Sequence, residues 1–197
     1  MSRIRPFRAG DEAALADICL RTADAGADAT GLLEDDALWG DIFVLPYVAR
    51  HPDLAFVVAT DDDRVAGYVV ATDDTRAFED WFGESWWPGR RARFAVPEAA
   101  DRTRDLLAYA DARRAGAEPF GDTHPAHLHI DLLPELQGQG WGRRLIDRAL
   151  EELRLRGVTG VHLVAAADNT GAAAFYDRLG FVRLPSPPGA QAFALAL

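Results

Sequence analysis

The segment spanning residues 132–143 constrains the fold of this chain more than any other feature. It reads LLPELQGQGWGR, which is an apolar strand end, a short turn and alternating glycines. An amphipathic helical pattern follows, with apolar residues at Leu145, Ile146, Ala149, Leu150 and Leu153. Glycine amides at a helix N-terminus favour an anion, because unpaired N–H groups and the helix dipole both attract negative charge. The segment therefore predicts a strand–turn–helix unit that binds a phosphate-bearing ligand.

Two common phosphate-binding motifs do not fit this segment. A P-loop needs Gly-Lys-Ser/Thr after its glycines, and the chain contains no lysine. A dinucleotide fingerprint needs the spacing G-x-G-x-x-G, whereas Gly138, Gly140 and Gly142 alternate. A nucleotide-binding protein that prefers ATP or NAD is therefore the least favoured of the three functions that this sequence suggests. The other two follow from the resemblances described next.

Two motifs together resemble the Gcn5-related N-acetyltransferase superfamily. The spacing Gln137-x-x-Gly140-x-Gly142 is similar to the loop that holds the pyrophosphate of acetyl-CoA in that superfamily. Residues 169–181 read NTGAAAFYDRLGF and resemble its later Asn-x-x-Ala…Tyr-x-x-x-Gly-Phe segment, one helix and one strand further on. The resemblance implies acetyl-CoA as cofactor and direct acetyl transfer to an amine.

A narrower resemblance covers most of the chain. Residues 124–135, HPAHLHIDLLPE, are similar to bacterial acetyltransferases akin to the C-terminal acetyltransferase-like domain of O-GlcNAcase. Residues 24–31 and the sequence Trp86-Trp87-Pro88 fit the same subgroup. The O-GlcNAcase domain is acetyltransferase-like but is not established as an active enzyme. The alternative function is therefore a non-catalytic acetyl-CoA-binding or protein-interaction module.

The resemblance and the patterns together predict one α/β (α+β) domain over residues 1–197, with a helical insertion at about 73–125. Its sheet is mixed, mostly antiparallel, has six to seven strands and is flanked by helices. Strands are predicted at residues 3–7, 54–60, 65–72, 126–133, 161–166, 181–183 and 191–197. Helices are predicted at residues 11–21, 38–50 with a bend or break at Pro46, 75–84, 98–115, 140–156 and 170–179.

The resemblance also assigns the cofactor residues. The pyrophosphate would lie against the backbone of Gln137, Gly138, Gln139, Gly140, Trp141, Gly142 and Arg143. The backbone of Leu132 and Leu133 would pair with the pantetheine arm as if the arm were an adjoining strand. This pairing requires their strand to separate from the neighbouring strand after Val164 or Ala165. Asn169 would bind the same arm. Tyr176 would protonate the departing thiolate as general acid, or else pack in the core.

Three polar residues alternate just before this strand end. His127, His129 and Asp131 share one strand face. His129 and Asp131 are the candidates for a base or an orienting pair, since an ammonium must lose a proton before it attacks. A hydrogen-bonded polar face and a zinc site on the two histidines are the alternatives, and the prediction is that no metal is bound.

Four further residues are candidates for the acceptor site. Asp24 and Asp28 could attract a cationic substrate, and Trp86 and Trp87 could line its cleft. The alternatives are a solvated loop for the two acids and core packing for the two tryptophans.

Composition limits the partners. A net charge of −10 opposes nucleic-acid binding, which needs a basic face. The single cysteine, Cys19, sits in a helical pattern that predicts a core position. The absence of a signal-like or membrane-spanning apolar run predicts a cytoplasmic protein. The resemblance to acetyltransferases implies that its substrate is a small-molecule amine or a peptide. The patterns do not identify the acceptor or the oligomeric state.

Overall fold

A seven-stranded sheet organises the computed structural model, which describes residues 2–94 and 100–197. The strands are β1 (Arg3–Pro6), β2 (Ala55–Ala59), β3 (Val65–Thr72), β4 (Ala126–Leu132), β5 (Gly160–Ala166), β6 (Val182–Leu184) and β7 (Ala190–Ala196). Their order is β1-β2-β3-β4-β5-β7-β6. Every neighbouring pair is antiparallel except β4 and β5, which run parallel. The predicted mixed, mostly antiparallel sheet is confirmed.

Helices cover both faces of this sheet. They are α1 (Glu12–Leu20), α2 (Ala37–Phe43), α3 (Leu45–Arg50), α4 (Thr75–Trp81), α5 (Pro88–Arg91), α6 (Asp101–Ala112), α7 (Trp141–Leu155) and α8 (Thr170–Arg178). The ring of His129 on β4 contacts Tyr47 of α3. Side chains alternate along a strand, so Leu132 points to the opposite face of the sheet, where it lies against Gly142 of α7. The helices α3 and α7 therefore lie on opposite faces. Each helix of the described residues is too short or too polar to cross a bilayer.

Local sequence patterns account for most element bounds. The predicted helix at 38–50 is broken at Val44, whose φ of −136° leaves the helical region, and Pro46 lies in the first turn of α3. The predicted hairpin at 54–72 forms, and Asp63 at its acidic tip takes a positive φ of 64°. Residues 95–99, where the helix predicted at 98–115 would begin, lie outside the described residues.

The same helix ends earlier than predicted, because Arg113 leaves it for a buried ion pair. α6 stops at Ala112, and Arg113 adopts an extended conformation. Its Nη2 lies 2.7 Å from Glu79 Oε1 of α4, and both side chains are under a tenth exposed. The Nη1 atom donates to the carbonyl of Ile42 at 3.1 Å. This pair ties the helical segment between β3 and β4 to α2, and whether that segment is an insertion stays a prediction.

Candidate functional site

The two parallel strands at the centre of the sheet separate after one short contact. β4 and β5 pair only at Ala126 with Val161 and at His127 with His162. Beyond these pairs β4 stays in register with β3, while β5 follows β7 up to Ala166. The sequence predicted separation after Val164 or Ala165, so the gap opens earlier than expected.

The backbone groups facing this gap belong to alternate residues of β4. The Leu133 amide donates to the Ala66 carbonyl at 3.0 Å, so this amide is used by β3. Because antiparallel pairs alternate, the amides and carbonyls of Ile130 and Leu132 point the other way, into the gap. Leu133 itself is buried and lines neither cavity described below. The β4 backbone groups that face the gap thus belong to Ile130 and Leu132 and not to Leu133, and their pairing with a cofactor stays a prediction.

The opposite wall of the gap is β5. The Leu197 amide donates to the Thr159 carbonyl and the Ala167 amide to the Gly189 carbonyl, both at 3.0 Å. The backbone amides and carbonyls of odd-numbered β5 residues therefore point toward β7. The backbone groups of Val164 point the other way, into the gap, and this residue is half exposed. The gap thus offers strand-like donors and acceptors on both sides to an extended, amide-bearing chain.

A cleft of about 720 Å³ leads from this gap to the N-terminus of α7. Its walls include Ile130, Leu132, Gln137, Gly138, Gly140, Trp141, Gly142, Arg143, Asn169, Phe175, Tyr176 and Arg178. Within the described part of the chain, the backbone amides of residues 138–143 donate to no protein acceptor. They are therefore free to bind an anion, and the anion-binding role of this loop stays a prediction.

Glycine is required in this loop for two different reasons. Gly138 and Gly140 have φ values of 72° and 82°, a left-handed conformation that side chains disfavour. A Cβ at Gly142 would lie 3.0 Å from the Phe175 ring of α8, so this glycine allows α7 and α8 to approach closely. The Gln137 amide Nε2 donates to the Leu132 carbonyl at 3.0 Å and fixes the loop against the strand end.

Arginines give the cleft mouth a positive charge in an otherwise acidic protein. Arg143 and Arg178 both line the cleft, and Arg143 Nη2 donates to the Arg178 carbonyl at 3.2 Å. Arg144 lies 4.8 Å from the centre of the Trp141 ring, on the same helix turn. Because the whole chain carries a net charge of −10, this local reversal favours an anionic ligand here.

Replacing Gly140 by valine should weaken the binding of coenzyme A. No atom lies within 4 Å of the added Cβ, so the substitution has room but forces a β-branched residue into a left-handed conformation. A strain of about 1–2 kcal/mol would reorient the loop amides and raise the Kd about tenfold or more, as measured by calorimetry. Gly189→Val, at a φ of 86° and outside the lining of both cavities, is the matched control and should leave the Kd unchanged. Equal affinities of the Gly140 variant and the wild type would contradict the loop assignment.

A second cavity of about 270 Å³ continues from the first through the gap. We call it the chamber. Its walls include Cys19, Thr22, Trp39, Phe43, His129, Asp131, Val164, Asn169 and Tyr176. Residues that line both cavities are Thr22, Ala25, Gly26, Ile130, Asp131, Asn169, Ala172 and Tyr176. A ligand extended along the cleft would thus end where the chamber begins.

Tyr176 lies at this junction. Its ring packs against Phe175, Phe181 and Phe193, as the packing alternative required. Its hydroxyl makes no hydrogen bond to the described residues and is not sealed from the cavities. Burial, together with the nearby Asp131 carboxylate, raises the pKa of the phenol, so that it stays protonated at neutral pH.

Asp131 brings a carboxylate to the same junction. The Tyr68 hydroxyl of β3 donates to its Oδ2. Burial raises the pKa of Asp131, and the bond from Tyr68 opposes that rise. Asn169 lies nearby as the N-terminal cap of α8, where its Oδ1 accepts from the Ala172 amide at 3.0 Å.

His129 and His127 are joined by a phenol. Tyr47 Oη lies 3.0 Å from His129 Nε2 and 2.7 Å from His127 Nε2. Burial, with a smaller contribution from the Arg113 charge, lowers the pKa of His129 to about 3. The shared phenol occupies the Nε2 atom of each histidine. The described residues hold no group of three ligands suited to a metal.

The buried histidines should make the protein sensitive to acid. The pKa of His129 is about 3 in the folded protein and close to the ordinary value of 6.5 in the unfolded chain. Between these values the unfolded state binds more protons, so the free energy of unfolding falls as the pH drops below 6.5. One pKa unit corresponds to about 1.4 kcal/mol, and pH 4.5 lies two units below 6.5. Urea unfolding at pH 4.5 should therefore show a loss of roughly 3 kcal/mol relative to pH 7.5. His129→Gln should flatten this dependence, and an unchanged slope would contradict the assignment.

The four residues predicted for the acceptor site do not line either cavity. Trp86 and Trp87 are buried, and their indole N–H groups donate to the Asp41 carbonyl and to Asp111 at 2.8 and 2.6 Å. Asp24 forms an ion pair with Arg102 at 2.8 Å. Asp28 accepts from the amide and hydroxyl of Thr30. The two tryptophans thus fit the core-packing alternative, whereas the two acids bond to other residues of the protein instead of being only solvated.

The chamber is also lined by residues that the sequence did not indicate. Trp39 and Phe43 of α2 and Thr22 from the end of α1 line its wall, and Tyr47 positions the two histidines. Apolar helix residues at these positions look the same as core residues in the sequence. Only the position of α2 and α3 over β4 distinguishes them.

The chain belongs to the acetyltransferase (GNAT) family. Residues 25–181 match the profile of that family. The solved structure of SsHAT aligns with 99% of the chain, and the chain covers 98% of it, at a TM-score of 0.90 and 38% identity. These findings confirm the predicted family and fold, and they support the predicted enzyme class and acetyl-CoA as cofactor. The specific resemblance to the O-GlcNAcase domain stays a prediction.

Two further similarities are more limited. A mycothiol acetyltransferase of Catenulispora acidiphila is 30% identical over 155 residues, which is 76% of this chain and 41% of that protein. The chain spans about two fifths of the length of this relative and of a mycothiol acetyltransferase of Streptomyces coelicolor, which is 29% identical over 150 residues. The structure of yncA from Salmonella typhimurium, solved with its cofactor acetyl-CoA, shares the fold at a TM-score of 0.57 and 16% identity; the alignment covers 100% of this chain and 94% of that one.

Proposed function

We propose that this protein is an acetyl-CoA-dependent N-acetyltransferase that transfers the acetyl group directly to an amine. One observation carries the proposal: a continuous passage runs from the unpaired loop amides, through the gap between β4 and β5, to Tyr176 and Asp131. Its two ends suit the pyrophosphate and the thioester of acetyl-CoA, since phosphates need the amides and the departing thiolate needs a proton donor. Family membership supports the same reaction.

The cofactor would be held mainly by backbone groups. The amides of residues 138–143 and the charge of Arg143 and Arg178 suit the pyrophosphate. The exposed amides and carbonyls of Ile130, Leu132 and Val164 suit the amides of the pantetheine arm, although the Leu132 carbonyl already accepts from Gln137. The thioester then reaches the junction of the cleft and the chamber.

The acetyl transfer needs an acceptor amine, a base and a stabilised leaving group. The amine nitrogen attacks the carbonyl carbon, the C–S bond breaks, and the thiolate receives a proton. Tyr176 would donate a hydrogen bond to the sulfur and supply that proton, while Asp131 attracts the ammonium form of the acceptor. His129 or Asp131 would accept the proton that the amine loses.

The chamber favours a compact amine without a negative charge. Its described lining contains one carboxylate, Asp131, and no arginine, and Trp39 and Phe43 form an aromatic wall. The relatives named as mycothiol acetyltransferases are much longer than this chain, so they support the reaction class and not the acceptor. A cytoplasmic location remains a prediction.

Acetyl-CoA turnover with a panel of amines tests the proposal. We expect thiol release, detected with a thiol-reactive dye, in the presence of 2-phenylethylamine or putrescine, and less with glucosamine or a short peptide. Tight binding of acetyl-CoA with no turnover of any of the four would favour the non-catalytic module. Higher affinity for ATP or NAD than for coenzyme A, measured by calorimetry, would contradict the cofactor assignment.

A further inference from the structure

A directed chain of hydrogen bonds runs from the chamber into the protein interior. It contains His129, Tyr47, His127 and Thr75 and ends at the Pro125 carbonyl. These residues come from α3, α4, β4 and the segment before β4, so only the folded chain brings them together. The direction of each bond follows from the chemistry of its end point.

The interior end fixes the first proton. The Pro125 carbonyl accepts from the amide and from the hydroxyl of Thr75, each at 2.7 Å. A carbonyl cannot donate, so the hydroxyl proton of Thr75 is committed to it. The Thr75 oxygen must then accept from His127 Nδ1, which lies 2.8 Å away. His127, whose pKa burial holds well below its ordinary value, is therefore neutral with its proton on Nδ1.

The same reasoning reaches His129. His127 Nε2 carries only a lone pair, so the Tyr47 hydroxyl donates to it at 2.7 Å. A phenol has one proton, and Tyr47 must consequently accept from His129 Nε2 at 3.0 Å. The proton of neutral His129 thus sits on Nε2, and its Nδ1 is left as an unprotonated acceptor.

The free nitrogen is accessible from the chamber. His129 lines that cavity, and among the described residues no group bonds to its Nδ1, which is also not sealed from the cavity. Asp131 lies two residues further along the same strand face, and its carboxylate is engaged by Tyr68. The two residues therefore differ in chemistry. His129 offers the lone pair of a neutral nitrogen, and Asp131 offers a carboxylate that is hydrogen-bonded to Tyr68.

We propose that His129 accepts the proton of the attacking amine through Nδ1, and that Tyr47 is the positioning residue that keeps this nitrogen unprotonated. The inference rests on the proposed acetyl transfer. In that step the nitrogen–carbon bond forms, the carbon–sulfur bond breaks, and the amine proton moves to His129 Nδ1. The sulfur receives its proton from the Tyr176 hydroxyl. Solvent then removes the proton from His129 and restores the one on Tyr176, which balances the reaction.

Nitrogen NMR of the ¹⁵N-labelled protein tests the hydrogen-bond chain without reference to activity. Long-range proton–nitrogen correlations distinguish bare from protonated ring nitrogens. We expect His129 to be protonated on Nε2 and His127 on Nδ1, with signals assigned through His129→Gln. Tyr47→Phe should remove the preference of His129, whereas Tyr109→Phe, a half-exposed phenol on α6, should leave it intact. A wild-type His129 protonated on Nδ1 would overturn the inference.

Steady-state kinetics tests the catalytic part. In His129→Gln the amide nitrogen can still donate to Tyr47, but the Nδ1 lone pair is gone, so kcat should fall about 100-fold or more. Tyr47→Phe should lower kcat about tenfold, because His129 then populates both tautomers. The Kd for acetyl-CoA and the unfolding midpoint of His129→Gln should match the wild type, and Tyr109→Phe should be fully active.

The outcomes separate this inference from the proposed function. Wild-type kcat in His129→Gln, with an active wild-type enzyme, would overturn the role of His129 and leave acetyl transfer standing. A wild-type protein inactive with all four amines would contradict acetyl transfer and, with it, the catalytic role, even if the tautomers are as expected.

Discussion

Replacing Tyr176 by phenylalanine should lower kcat about 100-fold and leave the Kd for acetyl-CoA nearly unchanged. The ring packs against three phenylalanines, so Phe can fill the same space. Only the hydroxyl is lost, and the departing thiolate then leaves without a hydrogen bond or a proton donor. Thiol release measured with the most active amine of the panel gives kcat, and calorimetry gives the Kd.

Two controls make this prediction specific. Tyr109→Phe removes a phenol outside both cavities and should keep wild-type kcat. The unfolding midpoint of the Tyr176 variant should also be close to that of the wild type. A loss of acetyl-CoA binding with unchanged kcat would assign Tyr176 a packing role and contradict its place at the thioester.

Replacing Glu79 by alanine should destabilise the protein by about 3–5 kcal/mol, because it leaves the Arg113 guanidinium buried without its carboxylate. Arg113 donates to Glu79 from Nε and from Nη2, and its guanidinium also lies 3.9 Å from the centre of the Phe82 ring. Urea denaturation, followed by circular dichroism, measures the free energy of unfolding. Glu84→Ala, an exposed residue after α4, is the matched control and should change it by less than about 0.5 kcal/mol.

A double substitution distinguishes charge from packing. Glu79→Met with Arg113→Met removes both charges and keeps similar volume, so much of the lost stability should return. If the double variant is as unstable as Glu79→Ala, packing or the bond from Arg113 to the Ile42 carbonyl accounts for the loss.

The glycine loop and the cleft at the N-terminus of α7 could be predicted from sequence because their determinants are local. The loop conformation depends on Gly138 and Gly140, and both are read directly from a short motif followed by an amphipathic helix. The strand before the loop was equally clear. The error of one residue at Leu133 arose because its amide bonds to Ala66, a partner on another strand that no local pattern reveals.

The chamber could be predicted only in part. His129 and Asp131 were found because alternation along one strand places them on one face. Tyr47 was missed, since it lies 82 residues before His129 in the chain and is adjacent only after α3 packs on β4. The prediction for the two tryptophans differs from the structure because residues distant in sequence bind their indole groups. Trp86 and Trp87 look like cleft residues by composition, but their indole groups find partners in Asp41 and Asp111.

A crystal structure of the protein with coenzyme A tests the central claim most directly. We expect the pyrophosphate within about 3 Å of the amides of residues 138–143, and the pantetheine arm in the gap beside Ile130 and Val164. The sulfur should then lie within hydrogen-bonding reach of the Tyr176 hydroxyl, at the entrance to the chamber. A pyrophosphate bound elsewhere, or a sulfur pointing to solvent away from Tyr176 and His129, would contradict the account.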